Sequence, residues 1–228
     1  MMMRRMLPLL LAALLALPFA GCGAASDNDS GPAMKEAPST GSPAPQSQLS
    51  SPPSALPAKN PEKQRPPVTE VAGEVVEALR DRDLARLADW IDPELGLRFS
   101  PYSHLNNGDL VFMPEELPSF RDTSKYVWGS YDGSGEPIEL TFREYFETFV
   151  YDQDYAGAPN VSEGKLTGTG NTPFNGLEVY PEASFVEYHF PSAEAQNSGM
   201  DWKSLIVMFV PKGDGWRLCA IVHSQWTI

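Results

Sequence analysis

The chain has 228 residues, 42% of them hydrophobic, and a formal net charge of −13 at pH 7. So acidic a chain repels nucleic-acid phosphates and anionic headgroups, and a nucleic-acid partner is not expected. Its two cysteines exclude a disulfide-dense scaffold, so any folded domain must hold together through its core.

The first 21 residues have the layout of an export signal. "MMMRR" is basic, "MLPLLLAALLALPFA" is an uncharged apolar run, and small residues follow. The run is too short for a comfortable helical span of a roughly 30 Å hydrocarbon core. "FAGC", residues 19–22, resembles the lipobox of bacterial lipoproteins, although Phe19 stands where leucine is usual. The resemblance implies that Cys22 is lipidated and becomes the N-terminus. It implies a membrane anchor of diacylglycerol and further acyl chains, palmitate among them, on the extracytoplasmic side of the cell envelope. Residues 22–67 carry that cysteine and a Pro- and Ser-rich linker with no aromatic residue after it. Such a composition cannot bury enough apolar surface to fold and is expected to act as a disordered spacer.

Residues 68–228 hold all five tryptophans and 26 Asp and Glu against 11 Lys and Arg, a net of −15. "PVTEVAGEVVEALR" spaces Val68, Val71, Ala72, Val75, Val76 and Leu79 on one helical face. A second short helix follows through Leu84, Leu87, Ala88 and Ile91, ending before Pro93. "LRFSPYS", 97–103, alternates as a short strand, "DLVFM", 109–113, is another, and "YVWGSYDG", 126–133, is β-prone. "TFREYFETFV", 141–150, is a third helix, with Thr141 and Glu144 as a capping box. Strands are expected at 184–190, 202–210 and 216–226, the last two joined by the turn "PKGDG". Helices first and antiparallel strands afterwards make an α+β domain over 68–228.

That order resembles an NTF2-like cone, in which two or three N-terminal helices pack on a bent antiparallel sheet around a pocket. "GLRFSPYS", "VWGSYDGSGEPIELTFREYFETFVYDQDYAGAP" and "DWKSLIVMFVPKGDGWRLCAIVHSQWTI" also look like segments of a family of exported bacterial proteins and lipoproteins. The resemblance implies a fold and an exported location but no activity.

The pair Cys219 and His223 raises the question of a nucleophilic site. On a regular strand they lie about 13 Å apart, whereas nucleophile and base must be about 3 Å apart, so Cys219 is expected to fill the core. With strict alternation, Cys219, Ile221, His223, Gln225 and Thr227 share one face, opposite Leu218, Ala220, Val222 and Trp226. In "SFVEYHF", Phe185, Glu187 and His189 share a face. If the two mixed faces line one surface, Glu187, His189 and His223 converge with Arg98 and Tyr102 on a polar ligand-binding pocket.

The favoured reading is a membrane-tethered, extracytoplasmic module that binds a small molecule or an envelope protein without catalysis. The alternative is an enzyme using His189 and His223, with Glu187, as acid and base. No cofactor is implied, since no Walker, dinucleotide, G-x-S-x-G or H-E-x-x-H pattern is present. No metal site is expected either. "YDGSGE", 131–136, reads as a turn because Arg143 stands where a calcium loop needs an acidic residue. Asp152 and Asp154, in "YDQDY", read as solvated, and His104 as a loop residue. Strands apolar on both faces at 204–210 and 216–222 leave room for a homodimer.

Overall fold

The computed structural model describes residues 65–193 and 199–227. The signal-like leader, Cys22 and the Pro- and Ser-rich stretch up to residue 64 lie outside the described residues. Helix α1 (Val68–Arg80) buries the apolar stripe read from the sequence, and Ala78 joins it. Arg82 takes a left-handed turn (φ 56°) between α1 and α2 (Leu84–Trp90), whose first turn Asp83 caps by accepting from Arg86 N at 3.0 Å.

Eight strands follow: β1 (Leu97–Ser100), β2 (Leu110–Phe112), β3 (Lys125–Ser130), β4 (Pro137–Thr141), β5 (Asn160–Glu163), β6 (Ser184–Phe190), β7 (Lys203–Lys212) and β8 (Gly215–Gln225). Six of them form one sheet in the order β2-β1-β8-β7-β6-β5, and β3 and β4 form a separate hairpin. The large sheet is antiparallel except where β1 runs parallel to β8, with Phe99 opposite Ile221. Gly96 makes the entry to β1 at φ +69°; a Cβ there would lie 2.9 Å from the Phe112 carbonyl on β2.

Between β4 and β5 lies the third helix, and its capping box is present. Glu144 Oε2 accepts from Thr141 N at 2.8 Å while Thr141 Oγ1 accepts from Glu144 N at 3.3 Å. Only Phe142–Tyr145, α3, is α-helical. Phe146–Val150 widens into a π-turn closed by Tyr151 N donating to Phe146 O at 2.8 Å. The widening lets Phe142, Tyr145, Phe146, Phe149 and Val150 all stay buried.

One face of the sheet packs on these helices. Leu97, Phe99, Val186, Tyr188, Leu205, Val207, Phe209, Leu218 and Ile221 belong to the core shared with α1, α2 and α3. The sheet and its helices form the α+β cone of helices and mainly antiparallel strands expected from the element order. The cone is filled with aromatic side chains. Phe99 is surrounded edge-on by Phe112, Trp128, Phe142 and Tyr145, with centroids 6.0–6.1 Å away. Trp128 stacks on Tyr145 at 3.9 Å and donates through Nε1 to Leu140 O at 2.9 Å.

The opposite face carries a second cluster: Phe185, Ile206, Met208, Cys219, Ala220 and Val222 with Leu105. Leu166, Phe174, Tyr180 and Ala183, from the connection between β5 and β6, pack over it. The chain thus covers this apolar face itself.

Phe99→Ala should cost about 3–5 kcal/mol, because four ring contacts would be replaced by a cavity. Val127→Ala, at a position 56% exposed, should stay within about 0.5 kcal/mol of the parent. Urea unfolding of both variants measures the difference.

Candidate functional site

The β7–β8 pairing decides where the sequence-predicted residues fall. Phe209 lies opposite Leu218 and Met208 opposite Ala220, which leaves Cys219 as an extra residue, a β-bulge. The bulge breaks the alternation expected from the sequence. Leu218, Ile221 and His223 face the helices, whereas Cys219, Ala220 and Val222 belong to the opposite cluster. Cys219 is fully buried, its Sγ donates to Met208 O at 3.4 Å, and burial pushes its thiol up to about 12. Cys219 and His223 therefore do not form a dyad.

His223 does not meet Glu187 and His189 either. It packs edge-on against Phe149 (centroids 5.6 Å) inside the cone. Its Nε2 lies 3.4 Å from Asp152 Oδ2 without hydrogen-bond alignment, and its Nδ1 has no partner among the described residues. Asp152, read as solvated, has a side chain only 6% exposed. It pairs with Lys203 and accepts from Tyr155 Oη at 2.8 Å. The π-turn and the short 3-10 turn at Tyr155–Gly157 bend the chain so that Asp152 tucks against the sheet instead of facing water. Burial opposes its ionisation, but the His223 imidazole, the Lys203 ammonium and the Tyr155 hydroxyl outweigh it and hold the carboxyl well below the usual range.

Glu187 and His189 lie on the other side of the sheet. Glu187 is fully buried and accepts from Ser204 Oγ (2.8 Å), Gly168 N (3.1 Å) and Thr167 N. Ser204 Oγ also meets His189 Nδ1 at 2.8 Å. The predicted Glu187–His189 association is thus present, with Ser204 as the link. This cross-strand relay was not legible because Ser204 sits in an apolar run; its register opposite His189 is what places it there. The shared acid/base pocket of His189, His223 and Glu187 does not exist, since the sheet separates its members.

Arg98 and Tyr102 occupy a third place, the rim around the loop after β1. Arg98 donates from Nε to Tyr180 Oη (3.1 Å) and from Nη1 to Asn106 O (2.8 Å). Its Nη1 also lies 3.9 Å from Asp109 Oδ2. Tyr102 sits edge-on to Phe149 at 6.0 Å, and its hydroxyl accepts from Asp132 N at 3.1 Å. That bond ties the loop after β1 to the β3–β4 turn. "YDGSGE" is indeed that turn: Tyr131 N donates to Glu136 O and Gly135 N to Tyr131 O.

Two adjoining hollows open between these loops, about 490 and 330 Å³ in volume, and share Tyr102, Asn106 and Ser130. The larger is completed by His104, Tyr131, Asp132, the glycines of the turn, Ser134 and Thr172. The smaller is backed by Asp109, whose carboxyl accepts from Asn106 N at 2.8 Å and is raised by burial. Tyr145 Oη is buried without a partner among the described residues. Burial raises its pKa strongly, and the nearby Asp109 and Tyr102 add to the rise. The groove is therefore polar and carboxylate-bearing, with a buried hydroxyl behind it. It suits a small ligand that donates hydrogen bonds. Among the described residues no group of three His, Cys, Asp or Glu side chains is placed to hold a metal ion.

No family model matches the chain, and no curated protein matches it. Solved structures do. The chain Rd1NTF2_05 is 10% identical, with 68% of this chain and 95% of that one covered, at a TM-score of 0.30. A chain described as a calcium/calmodulin dependent protein kinase II association domain from Xanthomonas campestris is 12% identical. There the coverage is 69% and 84%, and the TM-score 0.32. Similarity this low carries no assignment of function.

Asp152→Asn should destabilise the domain by about 1–3 kcal/mol at pH 7, because Tyr155 Oη and Lys203 lose a charged acceptor. The Asp152 pKa is depressed on folding. Its contribution is therefore complete above the unfolded carboxyl value near 3.9 and disappears as pH falls through the lower folded value. The gap in urea midpoints between parent and variant should be full at pH 7 and should narrow steadily as the pH is lowered from about 4 to about 2.

Proposed function

We propose that this protein is a membrane-tethered extracytoplasmic binding module whose small polar ligand sits in the groove between residues 101–109 and 129–136. The observation that carries the reading is the position of Tyr102. It is common to both hollows and joins the two loops through Asp132. The interior of the cone is occupied by Phe99, Trp128, Phe142, Tyr145 and Phe149, so the rim supplies the concave surface there. The acidic domain favours ligands that are cationic or rich in hydrogen-bond donors over anions.

The tether rests on the sequence. Cys22 at the end of "FAGC" supplies the acyl anchor, and the following Pro- and Ser-rich stretch supplies reach. Cys22→Ser should move the protein from the membrane to the soluble fraction on cell fractionation. If the variant stays membrane-bound to the parent's extent, the lipid anchor is wrong.

Ligand binding is tested by thermal melting of the full chain with EDTA, divalent metals and a panel of small metabolites. A ligand at 100 times its dissociation constant adds about 2.7 kcal/mol to stability and should raise the melting temperature by several degrees. That increment should vanish in Tyr102→Ala. A flat response across amines, amino acids and metals would transfer the groove's role to an envelope protein partner.

A further inference from the structure

The relay on the outer face of the sheet has a chemical direction. A carboxylate can only accept, so the single proton of Ser204 Oγ goes to Glu187 Oε1. Ser204 Oγ then has only lone pairs left for His189 Nδ1, 2.8 Å away, and Nδ1 must carry a proton. Burial lowers the pKa of His189, with Glu187 opposing in part, which favours the neutral ring. A neutral imidazole protonated at Nδ1 presents Nε2 as an acceptor. With Nδ1 turned to Ser204, Nε2 is the ring nitrogen left for another partner.

His189 lines a separate hollow of about 250 Å³. Trp202 and Trp226 wall it, and Thr167, Thr169 and Ser192 contribute hydroxyl groups. Among the described residues, no side chain lining it is an acid, a lysine or an arginine. Trp202 is held in place. Its ring lies beside His189 with centroids 5.9 Å apart, and a Cβ on Gly168 would meet its Cζ3 at 2.5 Å. The backbone of residues 167–168 is itself fixed by Glu187. One buried carboxylate thus orients both the imidazole and the loop behind the indole.

We propose that this hollow is a binding site for a neutral, hydroxyl-rich ligand the size of a single sugar ring. His189 Nε2 accepts a hydroxyl proton, the Thr167 and Thr169 hydroxyls exchange hydrogen bonds with the remaining oxygens, and the indoles cover the C–H faces. Ser192 Oγ, which donates its proton to Asp201, offers only lone pairs. The described lining carries no formal charge of its own, which favours a neutral ligand over an ion. The volume, below that of ordinary drug-sized pockets, selects a single ring over a chain. This site shares no lining residue with the groove at Tyr102, and it stands independently of that reading.

The test is a titration of the full chain, labelled with 15N in histidine, with glucose, galactose and N-acetylglucosamine up to roughly 100 mM, a ceiling suited to dissociation constants on the order of 1–10 mM. Before addition, the His189 resonances should be those of a neutral ring protonated at Nδ1. At least one sugar should move the Nε2 signal and the tryptophan fluorescence along one saturable curve. Trp226→Ala, at a position 36% exposed, and His189→Phe should each weaken that binding at least tenfold. Tyr102→Ala should leave it unchanged. No saturation with any of the three sugars overturns the proposal. So does saturation that survives both hollow variants, because the sugar then lies elsewhere. Saturable binding of tetramethylammonium in place of the sugars also overturns it, by identifying a cation cage.

Discussion

Strands β7 and β8 are apolar on both faces over most of their length, and both faces must leave water. Everything else in the domain is arranged around that demand. The helices cover one face, and the connection between β5 and β6 covers the other. A helix packs by its own stripe, but an irregular segment needs anchoring. Glu187 supplies the anchor: a fully buried carboxylate accepting from two consecutive backbone amides of that segment and from Ser204. Charge-assisted hydrogen bonds offset much of the cost of burying it.

The two covers differ in what they leave open. On the helix side, large rings fill the space, and each is held by several others. Polar groups that reach this interior have few partners there, as Tyr145 Oη and His223 Nδ1 show. Concave surface is consequently displaced to the rims, where loops meet. One rim lies between the segment after β1 and the β3–β4 turn. Another lies beside Trp202, where a glycine-bearing loop crosses the sheet. Glycine at 168 lets the backbone approach the indole closely.

Much of the architecture was legible because it depends on local period. The α1 stripe, the capping box at Thr141 and Glu144, and the strand at 184–190 follow from spacing, and the strand expected at 202–210 from its apolar run. Strands β4 and β5 were not legible. β5, "NVSE", is short, exposed and on an edge, so it carries no apolar alternation. The π-turn was hidden because its five residues keep helical spacing in the sequence while the backbone widens by one residue per turn.

The sites depended on different information. The sequence by itself determined the α+β order, the acidic surface of the domain, the buried role of Cys219 and the nearness of Glu187 to His189 on one strand face. Only the tertiary structure decided which residues meet. A one-residue bulge at Cys219 reverses the side-chain alternation before it, and the sheet itself separates His223 from His189. Strand register brings Ser204 into line with Glu187 and His189, and loop closure places Tyr102 against Asp132. Register, bulges and loop contacts join residues distant in the chain. Period encodes which face a residue takes, but not which neighbour it finds there.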